Sequence, residues 1–212
     1  MKNKVLLVLA AAVVLSAGAA LAQNTLTVNN TAALGGTTFG MDISIAAAAT
    51  NSVYVQSDHP NAETHLLMKW RMNLVATTAP ISGGGRNLRF LLVRDETAAR
   101  NHLILFAQRQ QTGNWRLAAW TWDTVGNTYV FAGGHFLSAY ATNLDLQEEC
   151  DWTPGAGNGT LTCTRVGSAF TFTNATLNNG GLVGDTIRTG FLDFDAFNSV
   201  GHVYFDEYEF YR

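Results

Sequence analysis

Two acidic pairs near the C-terminal end have the residue types and spacing that come nearest to catalytic chemistry. Glu207 and Glu209 lie two positions apart, and so do Asp193 and Asp195. Residues i and i+2 of a strand share a face. Each pair would therefore set two carboxylates side by side, and glycoside cleavage uses two acids roughly 5–9 Å apart. A solvated strand face produces the same pattern without any catalysis. Asp193, Asp195 and Asp206 also offer the carboxylate oxygens that calcium prefers, although no loop carries a defined calcium spacing. Calcium is the one cofactor these residue types suggest.

Aromatic residues suggest binding. Trp120 and Trp122 share one parity along a strand, Trp115 falls on the opposite parity, and Tyr204 and Tyr208 share a parity near the chain's end. Rings on a sheet face stack on sugars or apolar ligands. Large rings also fill β cores, and that is their commoner role. His59, His65, His102, His135 and His202 show no H-x-H, H-E-x-x-H or H-x-x-x-H spacing, so no zinc motif is present. There is no G-x-S-x-G elbow either. The glycine clusters Ser82–Gly85 and Gly155–Gly159 open no helix and read as surface loops rather than phosphate cradles.

The elements that must position these residues are strands. Segments rich in Val, Ile, Leu, Thr and aromatics recur between Gly, Asn, Asp and Pro clusters, the pattern of an all-β chain. Strands are expected at residues 38–45, 52–56, 63–74, 87–94, 101–110, 115–123, 128–131, 144–152, 160–166, 169–173, 187–195 and 202–211, with one short helical turn at 46–49. In the third of these, Thr64, Leu66, Met68, Trp70, Met72 and Leu74 share a face opposite Glu63, His65, Lys69, Arg71 and Asn73. Phe90–Val93 and Leu103–Ala107 are apolar on both faces, which central, covered strands require. Without long helices, the cover must come from a second sheet, and the economical architecture is an antiparallel two-sheet jelly-roll sandwich.

Two hairpins set registers. Centring one on Pro154–Gly159 puts Cys150 opposite Cys163, Trp152 opposite Leu161 and Glu148 opposite Arg165, so a disulfide, an apolar contact and a charge pair agree. The other surrounds Gln111–Asn114. A two-residue loop would oppose Arg109 to Arg116, and a three-residue loop would pair Gln108 with Arg116; avoiding the like-charge contact favours the second.

The chain opens with a positive stretch, Met1–Lys4, an apolar run from Val5 and the small-residue close Ala20-Leu21-Ala22, which predicts a secretory signal over residues 1–22 and one β-sandwich domain over 23–212. Removing Lys2 and Lys4 takes Lys+Arg from 13 to 11 against 16 Asp+Glu, and the formal charge from −3 to −5. A nucleic-acid partner is not expected of so acidic a chain. Export to the periplasm or beyond also permits the disulfide.

Gly190–Asp195, followed by Gly201–Phe210 with its Tyr204-Phe205-Asp206-Glu207 stretch, resembles the closing strands of concanavalin A-like, laminin-G-like jelly-roll sandwiches. Val53–Glu63 and the long alternating strand after it resemble a group of secreted bacterial proteins with no assigned activity. The resemblance implies a fold shared by lectins, binding modules, glucanases and polysaccharide lyases. The E-x-D-x-x-E strand of one glucanase family and the strand motifs of the alginate lyases are absent. The expectation is an exported, non-catalytic binding module for carbohydrate or a cell-surface polymer, using Trp120, Trp122, Trp115, Tyr204 and Tyr208. One alternative is a structural protein of the cell surface. Another is a polysaccharide hydrolase or lyase with paired acids drawn from Asp193, Asp195, Asp206, Glu207 and Glu209.

Overall fold

A computed structural model describes residues 22–47, 49, 51–81, 87–192 and 199–211. Most of the expected signal segment, Asp193, Asp195 and the 82–85 loop lie outside the described residues. The described residues form fourteen strands, in order: β1 Thr25–Asn29, β2 Gly40–Ile45, β3 Val53–Glu63, β4 Leu66–Asn73, β5 Thr77–Thr78, β6 Asn87–Asp95 and β7 Arg100–Arg109, then β8 Trp115–Asp123, β9 Thr128–Ser138, β10 Leu146–Thr153, β11 Ala156–Arg165, β12 Thr171–Asn178, β13 Gly184–Phe191 and β14 Val200–Tyr211. Among the described residues no helix is long and apolar enough to cross a membrane, and the expected helical turn reduces to one bond, Ala49 N to the Ala46 carbonyl.

The strands form two antiparallel sheets packed as a jelly-roll-like sandwich. One has the order β1-β2-β14-β4-β10-β11-β12, with β5 beside β14; the other runs β3-β13-β6-β7-β8-β9. Consecutive strands β13 and β14 lie in different sheets, so the chain crosses the sandwich between them. Leu66, Met68, Trp70 and Met72 of β4 are fully buried, as the alternation requires. They face Leu103, Leu105 and Leu117 of the opposite sheet in one continuous core. Burying each such side chain stabilises the fold by about 1.5–3 kcal/mol.

Both hairpin registers hold. Cys150 pairs with Cys163, Trp152 with Leu161 and Glu148 with Arg165, and the disulfide forms. In the second hairpin Gln108 opposes Arg116 and Arg109 opposes Trp115. Its turn closes through Gly113 N to the Gln110 carbonyl, with Gly113 at φ +85°, the conformation a three-residue loop needs. The sequence pattern did not reveal β1, a polar edge strand with Val28 exposed, or the two-residue β5.

Candidate functional site on the six-stranded sheet

The apolar residues on the second face of β6 and β7 have a different fate from the core. Leu92, Ile104, Phe106, Ala118 and Leu192 are buried in a separate cluster on the outer side of the six-stranded sheet, with Trp120 and Tyr129 packed at its margin. Local register makes this possible. A bulge between Arg89 and Leu91 leaves Phe90 as the extra residue. Phe90 turns into the core, 5.4 Å from the Trp70 ring and 5.6 Å from Phe205. Strict alternation would bury Arg89 with Leu91 and Val93; the bulge frees it to the outer face, opposite Phe106.

One register row crosses all six strands of that face: Gln56, Arg188, Leu92, Ile104, Trp120 and Phe131. At about 4.8 Å per strand it spans roughly 24 Å. A groove of about 300 Å³ lies over its Arg188 end, floored by Leu92, Ile104 and Leu192 and walled by Ser52, Tyr54, Arg89, Arg94, Asn101 and Arg188. Gly190 brings Tyr54 to this wall. It pairs with Tyr54 at φ +152°, and a Cβ there would stand 2.3 Å from the Val53 carbonyl oxygen.

Arginine dominates the polar chemistry of the groove. Arg188 donates through Nε to Gln56 Oε1 at 2.8 Å and through Nη2 to Glu96 Oε1 at 2.8 Å. Arg94 donates through Nε to Glu96 Oε2 at 3.0 Å and through Nη1 to Asn101 Oδ1 at 3.2 Å. Among the described residues no carboxylate pairs with Arg89. The Arg188 guanidinium also lies 5.1 Å from the Tyr54 ring centre. Further along the sheet, Trp120 meets Phe106 edge-on at 5.6 Å, Arg100 covers Trp122 at 4.2 Å, and Arg116 lies 5.0 Å from Phe131. Such an arrangement binds an anion through the guanidinium nitrogens and a flat apolar surface through the rings.

The sequence-derived candidates divide between the two sheets. Trp120 and Trp122 are both half-buried, but Trp120 packs at the margin of the outer cluster while Trp122 packs against the main core, with Tyr129 edge-on to it at 5.0 Å. Trp115 is 1% exposed, a core residue beside Tyr140, and cannot reach a ligand. Tyr204 and Tyr208 do not share a face. A bulge between Asp206 and Glu209, with Glu207 at φ +48°, inverts the parity of β14. Tyr204 stays outside, while the Tyr208 hydroxyl is buried beside Thr189 of the opposite sheet, where burial pushes its pKa well above the ordinary value.

Asp206, Glu207 and Glu209 lie on the outer face of the eight-stranded sheet, away from the groove, and each has a structural partner. Asp206 accepts from Leu34 N at 2.9 Å, Glu207 N at 2.8 Å and the Thr37 hydroxyl, tying down the loop before β2. Glu207 pairs with Arg71, which also meets Asp145 at 3.3 Å. Glu209 accepts from the Tyr211 hydroxyl at 2.6 Å. Among the described residues no three His, Cys, Asp or Glu side chains converge as metal ligands.

Sequence reasoning missed the arginines. Arg89 and Arg94 stand on β6 and Arg188 on β13 of a net acidic chain, and no local motif joins the two stretches. The signal was the double-sided apolar character of β6 and β7, which marked a covered outer face. It also missed a buried pair: Glu148 opposes Arg165 in register, yet its carboxylate meets His135 Nε2 of the other sheet at 3.0 Å.

No protein-family model matches the sequence, and no curated protein matches it. Solved structures share the fold. An endo-β-1,4-glucuronan lyase from the fungus Trichoderma reesei superposes with a TM-score of 0.59 at 10% identity, over 90% of this chain and 87% of that one. An alginate lyase from Pseudomonas aeruginosa gives a TM-score of 0.50 at 12% identity, over 81% of this chain and 82% of that one. At these identities the likeness is one of fold: an antiparallel jelly-roll-like sandwich.

Proposed function

We propose that the chain is an exported carbohydrate-binding domain whose ligand is an acidic polysaccharide, held in the groove on the six-stranded sheet. The observation that carries this reading is the convergence of Arg89, Arg94 and Arg188 with Tyr54 around an apolar floor. Guanidinium groups suit carboxylates, and the Trp120–Phe131 end of the same register row suits the apolar faces of sugar rings. The names of the two solved structures, which act on glucuronan and alginate, agree with a polyuronate ligand. Export accords with the disulfide.

The test is gel retardation of residues 23–212 in neutral and acidic polysaccharides, with and without calcium. Retention by polyuronates that falls with salt and with Arg188→Ala is the expected result. Retention by neutral glycans alone overturns the acidic ligand.

One observation favours a catalytic second reading. Tyr54, 40% exposed, lines the groove beside Arg188. β-Elimination of a uronate needs a base to take the proton at C5, cations to offset charge on the carboxylate, and an acid to protonate the departing glycosidic oxygen. Tyr54 would serve as the proton-transfer group and the arginines as the cations. No acid pair among the described residues lines this groove, so the paired-carboxylate route has no support there. Ultraviolet absorbance from an unsaturated uronate, lost in Tyr54→Phe, would establish the lyase; intact polymer would leave the binding reading.

A further inference from the structure

Glu96 follows the last residue of β6 and does not line the groove, yet it touches two of the groove's arginines. Its Oε1 accepts from Arg188 Nη2 at 2.8 Å and from the Thr186 hydroxyl at 3.0 Å; its Oε2 accepts from Arg94 Nε at 3.0 Å. Its own backbone N–H donates to Asp185 Oδ2 at 3.1 Å, which anchors the turn. Both guanidiniums are thereby fixed to one carboxylate. Their other hydrogen bonds among the described residues are to neutral oxygens: Gln56 takes Arg188 Nε and Asn101 takes Arg94 Nη1. Among the described residues, Nη1 of Arg188 and Nη2 of Arg94 take no hydrogen-bond partner, and both belong to groove-lining residues. Of the three side chains Glu96 is the most exposed, at 39%, against 24% for Arg188 and 19% for Arg94.

We propose that Glu96 is a positioning residue, which holds Arg94 and Arg188 as a two-armed clamp for one carboxylate of an acidic glycan. The inference rests on the reading of the groove as an acidic-polysaccharide site. A negative charge beside an anion site weakens binding by Coulomb repulsion if it does nothing else. A positioning carboxylate acts in the opposite sense, because arginines fixed before binding lose less side-chain freedom when the ligand arrives. The two effects have opposite signs, so removing Glu96 separates them.

The experiment is calorimetric titration of the full mature chain with a glucuronate hexasaccharide, for the wild type, Glu96→Gln, Glu96→Ala and Thr186→Val. The expected result is a loss of affinity of about ten-fold in Glu96→Ala, although the groove gains one net positive charge. Glu96→Gln, which keeps an acceptor oxygen, should lose about three-fold, and Thr186→Val, which frees one side of the carboxylate, should lose a similar amount. Equal or tighter binding in Glu96→Ala overturns the proposal. A second readout needs no ligand: the Nε–H proton resonances of Arg94 and Arg188 exchange slowly with water in the wild type and broaden in Glu96→Ala. Resonances that stay sharp in that variant overturn the clamp even where affinity falls. A wild type that binds no polyuronate, with resonances behaving as expected, overturns the functional reading and leaves the Glu96 bridge as a structural brace only.

Discussion

Glu148 of β10 and His135 of β9 meet at 3.0 Å inside the sandwich, one from each sheet, with side chains that are 0% and 4% exposed. Burial raises the pKa of Glu148, and His135 and Arg165 only partly offset it. The folded chain therefore holds this proton more tightly than the unfolded chain does. Between the ordinary carboxylate value of 4.5 and the raised folded value, the folded state carries more bound proton, so stability falls as pH rises through that window. The steepest contribution of one proton is about 1.4 kcal/mol per pH unit. Denaturant titrations from pH 4 to 8 should show this slope in the wild type and its loss in Glu148→Gln. An unchanged slope in the variant would assign it to other groups.

Removing the histidine instead leaves the carboxyl without its partner. His135→Ala should destabilise the fold more than Glu148→Gln does, because it leaves the Glu148 carboxyl buried without the hydrogen bond that offsets its burial. Urea midpoints of the two variants check the order.

The two tryptophans of β8 should part company. Trp115→Ala removes a core ring and should cost about 3–5 kcal/mol of stability. Trp120→Ala, on the outer face, should leave the fold intact and weaken glycan binding by about 1 kcal/mol. Paired thermal melts and titrations separate the two effects, and a collapse of the fold in Trp120→Ala would make that ring structural.

Gly190 sets the distance between β13 and β3. A Cβ at Gly190 would meet the Val53 carbonyl and stand 2.6 Å from the Tyr54 Cα, in a backbone conformation that L residues rarely adopt. Gly190→Ala should displace Tyr54 and lower affinity for acidic glycans while costing about 1–3 kcal/mol. Tyr54 fluorescence quenching by the ligand, in a background where the tryptophan signal is excluded, measures the displacement.

The disulfide closes a separation of 13 residues between adjacent strands, and both cysteines are fully buried. Cys150→Ala with Cys163→Ala should cost about 3 kcal/mol without changing the register, because Trp152 and Leu161 still pair. Reductant should act on the wild type only as fast as the sandwich opens, which timed thiol alkylation measures.

Much of the architecture was legible because it is written in local periodicity. The alternation in β4, the double-sided apolar runs of β6 and β7 and the three agreeing pairs of the Cys150 hairpin each follow from side chains alternating across a pleated strand. The boundaries of β8 fell where expected. Reasoning by parity failed at bulges. One extra residue at Phe90 moved Arg89 outward, and the bulge around Glu207 moved Tyr208 inward. A bulge inverts every side chain beyond it and leaves no local mark in composition.

The candidate site was less legible for a different reason. Strand formation, the mutual cover of two sheets, most of the core and the alignment of two hairpins can be read along the chain, since these depend on near neighbours and on burial of apolar area. Which charges meet is settled only once the sheets have packed. Arg89 and Arg94 come from β6, Arg188 from β13 and Tyr54 from β3, and they converge because β13 inserts between β3 and β6. The same folding carried Asp206, Glu207 and Glu209 to the other sheet and paired Glu148 with His135 rather than with Arg165. Ionic and hydrogen-bonding partners are chosen by proximity after the sheets have packed, and strand order, unlike strand periodicity, is set by contacts between residues far apart in the chain.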